Sequence, residues 1–278
     1  MRISPSVSQR VVVAGLWSLA ILTIGVLLFI IGYILARGLP NVTWEFLADS
    51  PRRMGKEGGV FPMIVSTFMV AGLAVALAAP IGVMTAVYLT EYTREGKLTA
   101  LIRFGADCLA GIPSIIFGLF GFVFFVIALG MGLSVISGAL TLALMVLPTI
   151  IRTTEEAIRA VPKTYREVSY GLGGTRWQTV RHVVLRSALP GICTGIVLAI
   201  GRSVSETAAV MLTAGSSLRL PQSLLDSSRT MSLHFYILSR EGISMPAAFA
   251  TASILIIAVL AINVAAYWLM SRFVARVA

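Results

Sequence analysis

An uncharged run of 44 residues occupies positions 108–151 and reads CLAGIPSIIFGLFGFVFFVIALGMGLSVISGALTLALMVLPTII. A helix needs about 20 apolar residues to cross a bilayer, so this run is too long for one crossing and suits two. Gly130, Met131 and Gly132 form a turn-prone cluster near its middle. The run therefore predicts two membrane-spanning helices joined by a turn.

The composition supports the same class for the whole chain of 278 residues. Hydrophobic residues make up 57% and charged residues only 12%, whereas a soluble domain has about 45–50% and about 25%. So few charges cannot cover a soluble globule, and so many apolar residues exclude disorder. The net charge of +10 would suggest nucleic acid in a soluble protein. In a membrane protein an excess of positive charge first indicates which loops are cytoplasmic, and we expect no nucleic-acid partner.

Six membrane-spanning helices are predicted from the uncharged gaps. They lie at about 11–36, 62–89, 105–129, 133–151, 187–213 and 247–271. The first is long and lacks a small-residue cleavage site, so we interpret it as an anchor rather than a cleaved signal peptide. The expected fold is an all-α, polytopic membrane protein with a single domain over 1–278 and its core at about 60–272.

The placement of basic residues predicts the orientation. Of the 22 Lys and Arg residues, one lies inside a span and 14 fall on the side that holds both termini. The other side has seven, which are Arg37, Arg52, Arg53, Lys56, Arg219, Arg229 and Arg240. Positive residues accumulate in cytoplasmic loops, so both termini are predicted to be cytoplasmic. Segment 38–61 then faces outward, where its basic residues either receive an acidic binding protein and steer anions or belong to a solvated loop.

Residues 152–186 form the longest predicted cytoplasmic segment. After Pro162, residues recur at helical spacing at Tyr165, Val168, Ser169 and Leu172. Glycines at 171, 173 and 174 permit a sharp turn, and Thr175 can cap a second short helix. A helix–turn–helix with apolar faces favours a docking surface for a cytosolic partner. The alternative is a connector whose basic residues touch anionic headgroups.

Arg202 and Glu206 are the charged residues placed firmly inside a predicted span, the fifth. They are four residues apart, so on a helix they share a face, and the polar residues around them are Ser203, Ser205 and Thr207. Ionisable groups inside a membrane usually serve function, and a guanidinium fork matches phosphate oxygens. We interpret the pair as part of an anion pathway in which Glu206 lowers the affinity of Arg202 for the passing anion. The alternative is a structural salt bridge, either within the helix or between helices that it pins together.

The segment 152–186 resembles the EAA segment of ABC-importer permeases, whose pattern is E-A-A-x3-G-x9-I-x-L-P. Glu167-Val168-Ser169 stands at E-A-A, and Gly173 stands at the glycine. We therefore name residues 152–186 the EAA segment. The resemblance implies that it seats in a groove of a separate ATPase subunit, and the coupling residues would be Glu167, Ser169, Leu172 and Gly173.

A second resemblance is more specific. Residues 201–208, GRSVSETA, are similar to the R-x-x-G-E-T-A-P stretch of phosphate-specific (Pst) ABC permeases. Residues 86–92, AVYLTEY, and 112–121, IPSIIFGLFG, match the PstA-type subunit. The resemblance implies a type I ABC importer permease (MetI-like) fold in a bacterial inner membrane, with Arg202 and Glu206 in the phosphate pathway. The implied partners are a PstC-type permease, a PstB-type ATPase dimer and a periplasmic PstS-type binding protein.

Other chemistry has little support in the sequence. The phosphate loop G-x-x-x-x-G-K-[ST] is absent, so we expect a transport subunit that is not an enzyme and binds no cofactor, with ATP used by the partner ATPase. Cys108 and Cys193 are predicted to serve packing. His182 and His234 are predicted to lie isolated in loops, which leaves no metal site or catalytic residues.

Several alternatives remain open at this stage. The chain could be a permease for another oxyanion, such as sulfate, molybdate or phosphonate. From other classes, it could be a secondary transporter or a membrane-embedded enzyme. A secondary transporter is disfavoured because the sequence shows no repeat with paired broken helices. Pro113 and Gly118, in the third span, are interpreted as a helix kink or close packing, with gating as the alternative.

Overall fold

The computed structural model describes residues 5–94 and 96–277, so Arg2 and Glu95, which belong to the charge distribution, lie outside the described residues. The described chain is mostly helical. Its helices are α1 Pro5–Gly38, α2 Trp44–Ala48, α3 Phe61–Val87, α4 Lys97–Gly111, α5 Ser114–Gly121, α6 Val135–Ala160, α7 Lys163–Gly171, α8 Arg176–Thr179, α9 Leu185–Ser205, α10 Ala208–Thr213, α11 Met231–Arg240 and α12 Met245–Val277.

Short irregular pieces extend or join these helices. π-helical turns continue α3 over Tyr88–Tyr92, continue α5 over Phe122–Ala128, and join α8 to α9 over Val180–Val184. Two-residue strands, β1 Pro51–Arg52 and β2 Glu57–Gly58, form an antiparallel hairpin in which Pro51 is opposite Gly58. The segment 38–61 is thus a small structured element between α1 and α3.

Five described helical stretches are long and apolar enough to cross a membrane. They are Val12–Asn41, Phe61–Tyr92, Val135–Ala160, Arg176–Ser205 and Met245–Arg272. A sixth crossing exists if the bent pair Lys97–Gly111 and Ser114–Ala128 forms one broken span. The multi-pass helical class is confirmed.

Two predicted spans are wrong in shape. The third, 105–129, is not one helix, because the chain bends by 101° between α4 and α5. The fifth, 187–213, begins eleven residues earlier at Arg176 and ends at Ser205. The predicted bounds come from uncharged gaps in the sequence. Such a gap can continue across a bend in the chain, and it ends at the first charged residue even where the helix goes on. For the same reason α6 runs to Ala160, beyond the predicted end at 151.

The core lies where α3, α6 and α9 pack together. Val70 and Ala74 of α3, Leu142 and Val146 of α6, and Ala199 of α9 are all buried there. Gly191 and Gly195 repeat at four residues along α9, and a Cβ on Gly191 would lie 2.5 Å from Cβ of Ala157 in α6. Small residues at this spacing let helix backbones approach closely, which is how helices associate in lipid.

A second, smaller core lies under the EAA segment. It joins Val87 of α3, Ile158 and Val161 at the end of α6, and Val180 and Val184 of the π turn after α8. The EAA segment is therefore attached to the ends of three long helices.

Candidate functional site

The predicted charge pair lies at the end of α9 and is not a helical pair. Arg202 is half-buried in the last turn of α9, and Glu206 follows the helix end in extended conformation, with φ −71° and ψ 135°. The prediction that both side chains share one helix face is therefore wrong. Within residues 5–94 and 96–277, Arg202 has no salt bridge to a carboxylate. We call residues Glu206–Thr207 the α9 break.

The α9 break is held by contacts from distant parts of the chain. The hydroxyl of Ser232 in α11 donates to the carbonyl oxygen of Glu206 over 2.6 Å. The neighbouring amide of Met231 donates to Oγ1 of Thr67 in α3 over 2.9 Å. The Glu206 carboxylate accepts from the amide of Ala209 over 3.4 Å, so it faces the first turn of α10. Tertiary contacts, which hydropathy does not report, therefore fix this break.

A second broken helix packs against α10. Pro113 precedes α5 at the bend after α4. A Cβ on Gly118 would lie 2.7 Å from Cα of Ala209, and one on Gly121 would lie 2.9 Å from Cγ2 of Thr213. From the first of these contacts to the second, the residue numbers increase in both helices. Helices α5 and α10 therefore run parallel and begin on the same side. The two breaks are thus neighbours, a pairing of broken helices that the sequence did not indicate.

The polar residues near Arg202 differ in their surroundings. Ser203 is buried, and its hydroxyl has no hydrogen-bond partner among the described residues. Ser205 is exposed and donates to the carbonyl oxygen of Gly201 over 2.9 Å. Thr207 lies in the break, where its hydroxyl reaches the carbonyl oxygen of Ser205 at 3.5 Å. Arg202 and Ser203 are therefore the groups here with unused hydrogen-bonding capacity.

The EAA segment forms the predicted helix–turn–helix. Pro162 precedes α7, and Thr175 forms a capping box with Gln178 at the start of α8. Gly173 has φ +82°, a left-handed conformation that glycine adopts without strain. The long helix Arg176–Ser205 continues directly from this cap. Local turn chemistry therefore shapes the turn between α7 and α8.

The predicted coupling residues form an exposed edge of the EAA segment. Glu167 is exposed, and Leu172 at the end of α7 is 85% exposed. Ser169 is half-buried, and its hydroxyl is 2.8 Å from Oγ1 of Thr179. The exposed edge is available to another chain, and Ser169 ties α7 to α8.

The ion pair that fixes α7 was missed in the sequence. Nη2 of Arg166 lies 2.6 Å from Oε1 of Glu91, at the end of α3, and both side chains are largely buried. The partners are 75 positions apart, so no helical spacing relates them. The available signal was Glu91 itself, an acidic residue directly after the uncharged gap 58–90.

The isolated histidines and cysteines also have corrected positions. His182 lies in the π turn of the long helix, and His234 lies in α11 and is 1% exposed, so neither is in a loop. Burial, together with Arg229 nearby, lowers the pKa of His234 from 6.5 to about 4. Cys108 is exposed and Cys193 half-buried, so interior packing is wrong for Cys108 within this chain. The described residues contain no cluster of three His, Cys, Asp or Glu suited to a metal.

Comparison with known proteins shows the family to which this chain belongs. A family model described as "Binding-protein-dependent transport system inner membrane component" matches residues 78–278. The chain belongs to this family. It is therefore a membrane permease of an ABC importer, and the enzyme and secondary-transporter alternatives fall away.

Relatives and solved structures agree with this family. The chain is 37% identical over 256 residues to phosphate transport system permease protein PstA 1 of Mycobacterium tuberculosis (strain ATCC 25618 / H37Rv), covering 90% of this chain and 82% of that protein. It is 34% identical over 261 residues to the probable ABC transporter permease protein YqgI of Bacillus subtilis (strain 168), covering 88% of each.

The solved structures report on the fold. A bacterial ABC transporter involved in alginate import matches with a TM-score of 0.68 and 15% identity, covering 92% of this chain and 95% of that chain. The inward-facing MetNI methionine ABC transporter matches with a TM-score of 0.61 and 21% identity, covering 77% and 94%. The predicted ABC-importer permease fold of the MetI type is confirmed.

Proposed function

We propose that this chain is the permease subunit of an ATP-driven importer of inorganic phosphate and forms half of its translocation pathway. The observation that carries the proposal is Arg202, half-buried one turn before the α9 break and without a salt bridge in the described chain. An intramembrane cation without a fixed counter-ion is a ready partner for a passing anion. The PstA relative supports phosphate as that anion.

The geometry of the α9 break suits transient binding of an anion. The planar guanidinium of Arg202 offers fork-shaped donors that match the tetrahedral arrangement of phosphate oxygens. Glu206 faces α10 rather than Arg202, so it does not neutralise the arginine directly. Its negative charge, four residues further along the chain, repels the anion, which favours release over tight binding. Ser203, Ser205 and Thr207 supply hydroxyls beside this position.

The EAA segment would couple the permease to an ATPase in a separate chain. Glu167 and Leu172 present an exposed polar and apolar edge, and Gly173 sets the turn that follows. Ser169 holds this edge against α8 through Thr179. In this arrangement ATP is bound and hydrolysed by the partner, and this chain binds no cofactor.

The expected assembly follows from the same resemblance. The partners would be a PstC-type permease, a PstB-type ATPase dimer and a periplasmic PstS-type phosphate-binding protein. The chain would act as a single permease domain over 1–278 in the bacterial inner membrane. The distribution of basic residues supports cytoplasmic termini and a cytoplasmic EAA segment.

Uptake by the complete complex in proteoliposomes tests the proposal. With binding protein outside and ATP inside, labelled phosphate should accumulate, and a tenfold excess of unlabelled sulfate, molybdate or phosphonate should leave that uptake unchanged. Uptake of one of those oxyanions in place of phosphate would contradict the substrate assignment. A complex that hydrolyses ATP but moves none of these anions would contradict the transport role.

A further inference from the structure

Helix α7 has no fully buried residue, although it carries the exposed edge of the EAA segment. It is held mainly by polar contacts near its two ends. At the far end, Ser169 contacts Thr179. Near its start, the Arg166 guanidinium donates to Glu91, and also to the carbonyl oxygens of Val161 over 3.0 Å and Ile158 over 3.1 Å. Apart from the backbone connections at its two ends, α7 is therefore linked to the rest of the chain through a small number of side chains.

The residue next to Glu91 holds the other arm of the EAA segment. The guanidinium carbon of Arg176, the first residue of α8, lies 5.1 Å from the ring centroid of Tyr92. A cation at this distance from an aromatic face is attracted by the ring. Glu91 and Tyr92 both belong to the π turn Tyr88–Tyr92 that ends α3. One turn thus contacts α7 before the glycine turn and α8 after it.

The opposite end of α3 reaches the α9 break. Oγ1 of Thr67 accepts the amide of Met231, and the adjacent Ser232 donates to the Glu206 carbonyl. From Thr67 to Glu91 the helix spans roughly 36 Å. Between these ends α3 packs in the core against α6 and α9. Pro80 interrupts the hydrogen bonding of α3 between these ends, so it is the close packing of α3 in the core that links them mechanically.

We propose that Glu91 and Tyr92 transmit movement of the EAA segment through α3 to the α9 break. This inference rests on the proposed function, because it takes the EAA segment as the site where the ATPase acts. The direct route, along the continuous helix Arg176–Ser205, joins the same two regions. The route through α3, which we call the α3 route, differs because it reaches the α9 break through Ser232. It therefore contacts the break from outside the helix Arg176–Ser205. Glu91 and Tyr92 are positioning residues and do not contact the anion.

Phosphate molecules taken up per ATP hydrolysed, in the reconstituted complex, give the readout. Glu91→Gln removes the charge while keeping the side-chain shape, and Tyr92→Leu removes the aromatic face. Both should lower the ratio about tenfold, within the usual range of coupling between sites, while the ATPase stays bound and active. Tyr92→Phe keeps the ring, and Glu57→Gln breaks an exposed ion pair with Arg53 outside the EAA segment. Both controls should keep the wild-type ratio.

The outcomes separate this inference from the proposed function. A wild-type complex that moves no phosphate refutes the proposed function. If the wild-type complex transports phosphate and the ratio of phosphate taken up to ATP hydrolysed is unchanged in Glu91→Gln and Tyr92→Leu, the α3 route is overturned. Loss of the bound ATPase in both variants also overturns it, because the two residues would then only shape the docking surface. If Glu91→Gln fails to assemble, the ratio in Tyr92→Leu against Tyr92→Phe decides.

Discussion

Two arginines, one in α7 and one near the end of the long helix Arg176–Ser205, are held in different ways. Arg166 in α7 is largely buried and bonds to Glu91 and two backbone carbonyls. Arg202 lies roughly 40 Å along the long helix from its first residue, is half-buried and has no carboxylate partner in the described chain. A buried charge with most of its donors used holds a shape, whereas a charge with unused donors remains available to a ligand. This difference supports the proposal that Arg166 serves coupling and Arg202 serves the anion.

The largest expected effect comes from removing the free charge. Arg202→Gln should lower phosphate uptake about 100-fold, because losing about 3 kcal/mol of charge-assisted hydrogen bonding weakens anion passage by that factor. Arg202→Lys should retain an intermediate rate, since it keeps the charge without the fork. Uptake of labelled phosphate by proteoliposomes measures both. Arg240→Gln, at the exposed last residue of α11, serves as control, and equal uptake in Arg202→Gln and this control would contradict the anion role.

The next effect isolates the turn in the EAA segment. A Cβ on Gly173 or on Gly171 would meet no atom within 4 Å, but only Gly173 has positive φ, +82°. Gly173→Ala therefore adds about 1–2 kcal/mol of backbone strain and should reduce ATPase binding roughly tenfold. Gly171→Ala should bind normally. Copurified ATPase, measured against the permease, gives the result, and equal binding by the two variants would exclude a role for the turn conformation.

A smaller effect is expected where α11 supports the α9 break. Ser232→Ala removes a hydrogen bond worth about 1 kcal/mol from the Glu206 carbonyl, and uptake should fall roughly fivefold. Ser239→Ala is the matched control, because the Ser239 hydroxyl bonds only within α11, to Phe235 and Tyr236. Initial uptake rates compare them. Identical rates would mean that the break holds its shape without α11.

The smallest effect at neutral pH is expected at His234, also in α11. The lowered pKa means that the unfolded chain takes up a proton between pH 6.5 and about 4 while the folded chain does not. Stability should therefore be complete above pH 6.5 and fall by up to about 3 kcal/mol as the pH drops towards 4. Thermal melting of His234→Gln should show a weaker loss in acid. Exposed His182→Gln should behave as wild type, and acid sensitivity retained in His234→Gln would contradict this.

The two regions also differ in how far the sequence determines them. Gly173, Thr175 and Pro162 shape the EAA segment through local backbone chemistry, so its helix–turn–helix was predictable. The α9 break depends on a contact with Ser232, which comes 26 residues later, and the hydropathy pattern does not report such a contact. The sequence therefore indicated Arg202 and Glu206 as important but gave the wrong relation between them. The ion pair of Arg166 with Glu91 was hidden for the same reason.

The central claim is that Arg202 serves passage of the anion and the turn at Gly173 serves binding of the ATPase. Measuring phosphate uptake and ATP hydrolysis in the same proteoliposomes for Arg202→Gln and Gly173→Ala tests this claim most directly. Arg202→Gln should lose uptake while the binding protein still stimulates ATP hydrolysis. Gly173→Ala should lose both activities together, in proportion to the ATPase that is no longer bound. Parallel loss of both activities in Arg202→Gln, or stimulated hydrolysis without uptake in Gly173→Ala, would contradict it.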